Sequence, residues 1–174
     1  MAPGRRRPPR RPSVKEIEEL LAEQPFFKGM DPRWIAFFAG CAGNVRFDAG
    51  EYIFREGGEA NRFLLIRHGR VALETHVPQR GPVTIYTIGK NDVVGWSWLF
   101  PPYRWTFDAR ALELVRAIGF DAACVRKKCE EDPALGYVLL MRLVPVISSR
   151  LQATRLQLLD VYGTARGPRA GASA

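Results

Sequence analysis

The spacing of apolar positions changes twice along the chain, from helical to alternating and back, and the changes mark out a helical start, a long β-rich middle and a helical end. Ile17, Leu20 and Leu21 recur at helical spacing behind Ser13-Val14-Lys15-Glu16, a capping box in which serine and glutamate satisfy each other's orphan amides. A second short helix is predicted to open at Asp31-Pro32, with aspartate as N-cap and proline in the first position, and to bury Trp34, Ile35, Phe37 and Phe38. Gly40 and Gly43 mark its end. Between Val45 and Phe120 the pattern shortens to eight runs rich in β-branched and aromatic residues: 45–47, 52–54, 63–67, 70–74, 83–88, 92–94, 107–112 and 115–120. Asp48-Ala49-Gly50, Glu56-Gly57-Gly58, His68-Gly69 and Gly89-Lys90-Asn91 supply turns between them. Many short strands at near-regular spacing predict a mainly β fold of barrel, sandwich or jelly-roll type with helices at either end.

Asp121 to Cys129 reads as a short helix, and a last helix is predicted from Pro133 to Tyr162, ended by Gly163. Its apolar positions Leu140, Val144, Ile147, Leu151, Leu158 and Val161, with Thr154 in one slot, follow a heptad seam, which Pro145 is expected to kink or break. Two readings of this seam stay open: it packs on the β body, or its C-terminal half pairs with a partner helix.

Length bounds the chain at one domain with appendages, residues 13–162 flanked by 1–12 and 163–174. Residues 1–12 hold five arginines and four prolines without apolar periodicity, so a disordered basic arm is expected there, and a flexible tail over 163–174. Subtracting those five arginines from the net charge of +8 leaves +3, so the folded part is only mildly basic. No apolar run reads as a membrane span and no h-region marks a secretory signal, which makes the cytoplasm the expected location. Cys41, Cys124 and Cys129 are odd in number with no CxxC pair, so neither a disulfide framework nor a zinc site is expected, and free thiols are the simplest reading. His68 and His76 lack the companions a metal site needs.

The densest chemistry lies in Gly95 to Ala111, where aromatics stand at 96, 98, 100, 103, 105 and 107, around Pro101-Pro102 and beside Arg104. In an extended chain each alternating trio shares one face. Either the rings fill a core corner, or they line a pocket in which Arg104 meets an anion. No nucleophile with a base, poised acid pair or metal set accompanies them, so no catalytic residue and no cofactor is expected. Asp108 and Glu113 read as ion-paired or solvated carboxylates.

The order of elements, with the turns at Asp48-Ala49-Gly50, Arg55-Glu56-Gly57 followed by Ala60 and Phe63, Ile66-Arg67-His68-Gly69-Arg70-Val71, and Gly89 to Gly95, resembles the cyclic nucleotide-binding domain of catabolite activator-like regulators over about Val14 to Tyr162. The resemblance implies an eight-stranded jelly roll with N-terminal helices and a long closing helix. It also implies a phosphate-binding cassette after the sixth strand, beginning Gly-Glu-Leu-Ala and ending Arg-Ser/Thr-Ala. Its glutamate holds the ribose and its arginine the cyclic phosphate, beside amides at a helix N-terminus. Gly95 and Ala111 keep the ends of that cassette, but Trp96 stands at the glutamate and Trp105 at the arginine, with Arg104 one residue before it.

An indole has one donor and no acceptor, so the ribose clamp is lost, and Pro101-Pro102 disfavours a cassette helix. Gly95, Trp96, Ser97, Arg104, Trp105 and Thr106 are therefore the candidate ligand residues of a degenerate site. With only eleven residues after Gly163, no element for sequence-specific DNA binding is expected. The Trp-Ser-Trp-Leu-Phe-Pro-Pro-Tyr-Arg-Trp cassette resembles a stand-alone subgroup that includes an accessory subunit of soluble NAD-reducing hydrogenases. That implies a non-catalytic regulatory module docking on an enzyme complex, or self-pairing through the last helix. A sensor of a cyclic or other anionic nucleotide is the alternative.

Overall fold

The structure is a computed structural model and describes residues 13–164, with side chains through residue 156. The arm expected over 1–12, the tail beyond Thr164 and the seam positions Leu158 and Val161 lie outside this description. Ser13 caps α1 (Val14–Ala22) with both halves of the capping box: its Oγ accepts from the Glu16 amide at 3.3 Å, and Glu16 Oε2 accepts from the Ser13 amide at 2.6 Å. Asp31 caps α2 (Pro32–Gly40) by accepting from the Arg33 amide at 2.8 Å. Gly43, read above as helix-end punctuation, belongs to the first strand instead.

Eight strands follow: β1 (Ala42–Phe47), β2 (Tyr52–Phe54), β3 (Arg62–His68), β4 (Val71–Val77), β5 (Gly81–Ile88), β6 (Val93–Val94), β7 (Asp108–Ala111) and β8 (Val115–Asp121). They form two antiparallel four-stranded sheets, ordered β1-β8-β3-β6 and β2-β7-β4-β5, consistent with a jelly roll. After β8 come α3 (Ala122–Glu131) and α4 (Pro133–Thr164).

The unbroken apolar run Phe63-Leu64-Leu65-Ile66 is explained by burial on both faces of β3. Leu64 and Ile66 meet Val71, Ile88, Ala109 and Val115 between the sheets. Phe63 and Leu65 point the other way, into a second core with Leu21, Phe27, Phe38, Trp98, Phe120 and Leu135 beneath the helices. Phe63 stacks on Phe120 at 4.5 Å and on Trp98 at 4.9 Å, which ties the cassette segment into the helix-side core. Each fully buried ring of this kind contributes about 1.5–3 kcal/mol.

Three expectations are corrected here. First, α4 runs continuously through Pro145 and past Gly163. Pro145 lies on the exposed side, where water can take the carbonyl its missing N–H leaves free. Anchors hold both flanks: Arg142 donates to the carbonyls of Phe26 (2.6 Å) and Lys28 (3.0 Å), and Leu143 is buried.

Second, the heptad seam is not the buried stripe of this helix. That stripe is Leu135, Leu139, Leu143 and Arg150, while Leu140, Val144 and Leu151 are 45%, 55% and 70% exposed. Pro133–Leu156 is long and apolar enough to cross a membrane by length and composition alone. Its buried leucines join the helix-side core, Arg142 binds carbonyls of the segment between α1 and α2, and Arg150 binds that of Val93 in β6.

Third, Cys41 and Cys124 form a disulfide. They are 83 residues apart, but the pairing of Ala42 with Phe120 brings the end of α2 and the first turn of α3 to a Cα separation of 6.3 Å. Only Cys129 is a free thiol; burial first, then Asp132 and Glu130, raise its pKa above the ordinary cysteine value.

Candidate functional site

The cassette segment leaves β6 at Gly95, makes one turn of 3-10 helix over Ser97–Leu99 and returns to the roll at β7. The first aromatic trio is therefore not extended: Trp98 is fully buried, Trp96 half-buried and Phe100 46% exposed. Arg126 of α3 fastens this turn by donating to the Trp98 carbonyl at 2.8 Å, and its guanidinium lies 4.4 Å from the Tyr103 ring.

Trp105 occupies the corner of the site. It is 5% exposed, stacks on Phe54 at 3.9 Å and 10°, and exchanges backbone hydrogen bonds with Gly57 and Gly58. Its six-membered ring also presses on Gly95. A Cβ there would meet Trp105 Cζ3 at 2.7 Å and Cη2 at 2.9 Å, and the backbone sits at φ +82°. Glycine is required at 95 by the indole and the left-handed turn together.

What remains in this corner is a void of about 20 Å³ bordered by Gly95, Trp96, Ser97, Trp105, Thr106 and Arg150. Roughly one water fits a space of that size.

Of the six candidate residues, the structure brings Gly95, Trp96, Ser97, Trp105 and Thr106 to this void and leaves out Arg104. Arg104 is exposed, pairs its backbone with Glu59 in an isolated antiparallel β-bridge, and donates through Nη1 to the Gly57 carbonyl at 2.8 Å. Trp105 holds the inward position instead. Asp108 accepts from the Glu56 amide at 2.7 Å and lies 3.6 Å from Arg55, and Glu113 pairs with Arg70 at 3.3 Å. His68 and His76 are both exposed.

The residue that sequence reasoning missed is Arg150. It reaches from α4 into the site at 6% exposure, and its Nη2 donates to the Val93 carbonyl. Its guanidinium lies 4.8 Å from the Trp96 ring and 5.6 Å from that of Tyr86. Nη1 is buried with no hydrogen-bond partner. Burial lowers its pKa to about 10, opposed by the charges of Asp92 and Tyr86. The signal for it was a charge placed on the stripe Leu135, Leu139, Leu143, at the same helical phase, where another apolar residue is expected.

Beyond Trp96 the corner opens into a cleft of about 200 Å³ between α4 and the β4-β5 hairpin. Leu73, Trp96, Phe107 and Arg150 border both spaces, and Ile85, Tyr86, Leu151 and Thr154 complete the cleft.

A family model for the cyclic nucleotide-binding domain matches residues 44–132. The chain is 28% identical over 148 residues to the CRP-like cAMP-activated global transcriptional regulator of Mycobacterium tuberculosis, covering 85% of this chain and 64% of that protein. It therefore spans less than two thirds of the length of this curated relative. Among solved structures, a cyclic nucleotide-binding protein from Geobacter metallireducens superposes with a TM-score of 0.70 at 28% identity, over 77% of this chain and 97% of that one. A cyclic nucleotide-binding domain from Methylobacillus flagellatus gives 0.70 at 18% identity, over 84% and 83%. The regulatory domain of Toxoplasma gondii PKA, solved with cAMP, gives 0.64 at 18% over 78% and 50%, a likeness of fold alone.

Proposed function

We propose that this chain, which belongs to the cyclic nucleotide-binding domain family, is a non-catalytic regulatory or accessory module whose cassette is filled by its own side chains and which acts by docking on a larger enzyme complex. The observation that carries this reading is Trp105, seated against Gly95 and Phe54 where the resemblance places a phosphate-binding arginine. Filling the corner and turning Arg104 outward takes away the space and the Arg104 charge that a cyclic phosphate would use. Trp96 at the glutamate position leaves no acceptor for ribose hydroxyls. The CRP-like relative is named as activated by cAMP; in this chain Trp105 packs against Gly95 and Phe54.

The outer face of α4 is the docking surface. Leu140, Val144 and Leu151 lie on it at seam spacing, beside Tyr137 and Met141, which are 66% and 56% exposed. Apolar groups repeated on one exposed helix face favour a partner helix or groove. Purification of the tagged chain from its native extract tests this. A stoichiometric complex is expected with the natural chain and is lost with Val144→Glu plus Leu151→Glu. Elution of the natural chain alone, as monomer or homodimer, overturns the docking reading.

The finer reading, a redox complex of the NAD-reducing hydrogenase type, rests on the cassette resemblance. It requires NADH-oxidising activity in the purified complex.

A further inference from the structure

We propose that the Cys41–Cys124 disulfide is an exchange site for a small peptide thiol of the glutathione kind, which docks by its carboxylate in the cleft over β1, β8 and the start of β3 and opens the bridge at Cys41. The inference is independent of the cassette and stands whether or not the chain docks on an enzyme.

Three observations converge on the bridge. A cleft of about 350 Å³, within the size range of small-ligand sites, is bordered by Cys41, Gly43, Asn61, Arg62, Gly119 and Asp121. Two of these positions carry no side chain: Gly43 and Gly119 stand opposite each other in the β1-β8 register, and a Cβ on Gly43 would meet nothing within 4 Å. Second, half-buried Cys41 borders this space and Cys124 does not, so a thiolate arriving through the cleft reaches Cys41. Third, Cys124 is the better leaving sulfur. It lies in the first turn of α3, where unpaired helix amides favour a thiolate. The carboxylate of Asp121 opposes this charge, but it is engaged by the Cys124 amide at 2.7 Å.

The polar groups of the cleft define the thiol. Arg62 is exposed and has no ion pair among the described residues; its Nε donates to Asn61 Oδ1 at 3.3 Å, which leaves its terminal nitrogens and the Asn61 amide nitrogen to donate outward. Nearby main-chain groups are spent: the Asp121 amide donates to the Cys41 carbonyl and the Ala122 amide to that of Asn61, both at 3.0 Å. Free donors around a cation suit a carboxylate, and the Asp121 carboxylate at the same border suits an ammonium. A peptide thiol carries both. Its thiolate attacks Cys41 Sγ, a bond forms between the peptide sulfur and Cys41, and the Cys41–Cys124 bond breaks. The electron pair of that bond leaves on Cys124 Sγ, which takes up the proton the incoming thiol gave up. One disulfide replaces another with no net oxidation, and the covalent tie between α2 and α3 is cut.

Reduced glutathione is the probe, incubated with the air-oxidised full chain and quenched with iodoacetamide. The expected product is heavier by one glutathione, which peptide mass mapping places on Cys41, with the alkyl group on Cys124. Glutathione should react faster than its diethyl ester, each rate being divided by that of the same thiol with the urea-unfolded chain. Arg62→Gln should slow the reaction about two- to fivefold, the scale of one exposed ion pair. Gly43→Ile places a β-branched side chain in open space on a strand, so it should fold and lose the adduct. Three free thiols in the air-oxidised chain, glutathione carried on Cys124 or Cys129, or an undiminished rate in Gly43→Ile would each overturn the proposal. Reduction by a dithiol protein with no glutathione adduct would overturn it as well. Equal normalised rates for glutathione and its ester, or an unchanged rate in Arg62→Gln, would overturn recognition through the carboxylate.

Discussion

Substituting Gly95 by alanine tests whether the cassette corner is shaped by its own indole. The added methyl meets two faults. At φ +82° an L-residue pays about 1–2 kcal/mol for the left-handed conformation. Its Cβ also falls 2.7 and 2.9 Å from the ring carbons of Trp105, which cannot retreat because Phe54 is stacked 3.9 Å behind it. Overpacking of this kind costs about 1–3 kcal/mol, so Gly95→Ala is expected to lose about 2–5 kcal/mol in all. Trp105→Leu relieves the second fault and leaves the first. In its background Gly95→Ala should cost only about 1–2 kcal/mol, a coupling of about 1–3 kcal/mol. Urea unfolding of the natural chain, both single variants and the double variant gives the four stabilities. Additivity within about 0.5 kcal/mol would mean that Gly95 answers only to its backbone angle, and the filled-corner account would lose its main support.

Other outcomes follow from the same geometry. Arg104→Ala removes one exposed hydrogen bond to the Gly57 carbonyl and should cost no more than about 1.5 kcal/mol in unfolding experiments. Reducing the Cys41–Cys124 disulfide, which spans 83 residues, should lower stability by about 2–4 kcal/mol, measured by denaturation with and without reductant. Cys129, its pKa raised by burial, should be alkylated more slowly than an exposed thiol at mildly alkaline pH. The sign is that the folded state holds the thiol proton more tightly, so its contribution to stability is complete below the unfolded-state pKa and fades as pH rises through the folded one.

The resemblance and the local punctuation carried most of the fold. The Ser13 capping box, the Asp31-Pro32 start and all eight strands are local patterns, and each occurs close to where its residues suggest. Failures came where a distant contact decides. The alternation of Trp96, Trp98 and Phe100 mimics a strand, yet the turn after Gly95 and the pull of Trp98 into the helix-side core coil it into a 3-10 helix. The Cys41–Cys124 disulfide follows from the β1-β8 register, which no spacing of cysteines reveals.

On α4 the regular heptad drew the eye to the exposed side. The buried stripe, one residue before each of Leu140, Val144 and Leu151, is shorter and ends in a charge. That charge, Arg150, is the part of the site least legible in the sequence, because a lone arginine in a helix is ordinarily solvated.

The central claim is that Trp105 has replaced the cyclic phosphate in this cassette. Calorimetric titration of the full chain with cAMP, repeated on a Trp105→Ala variant, tests it most directly. The natural chain should show no saturable heat up to millimolar ligand, as the filled corner and the outward Arg104 lead one to expect. Saturable binding at micromolar cAMP by the natural chain would contradict it.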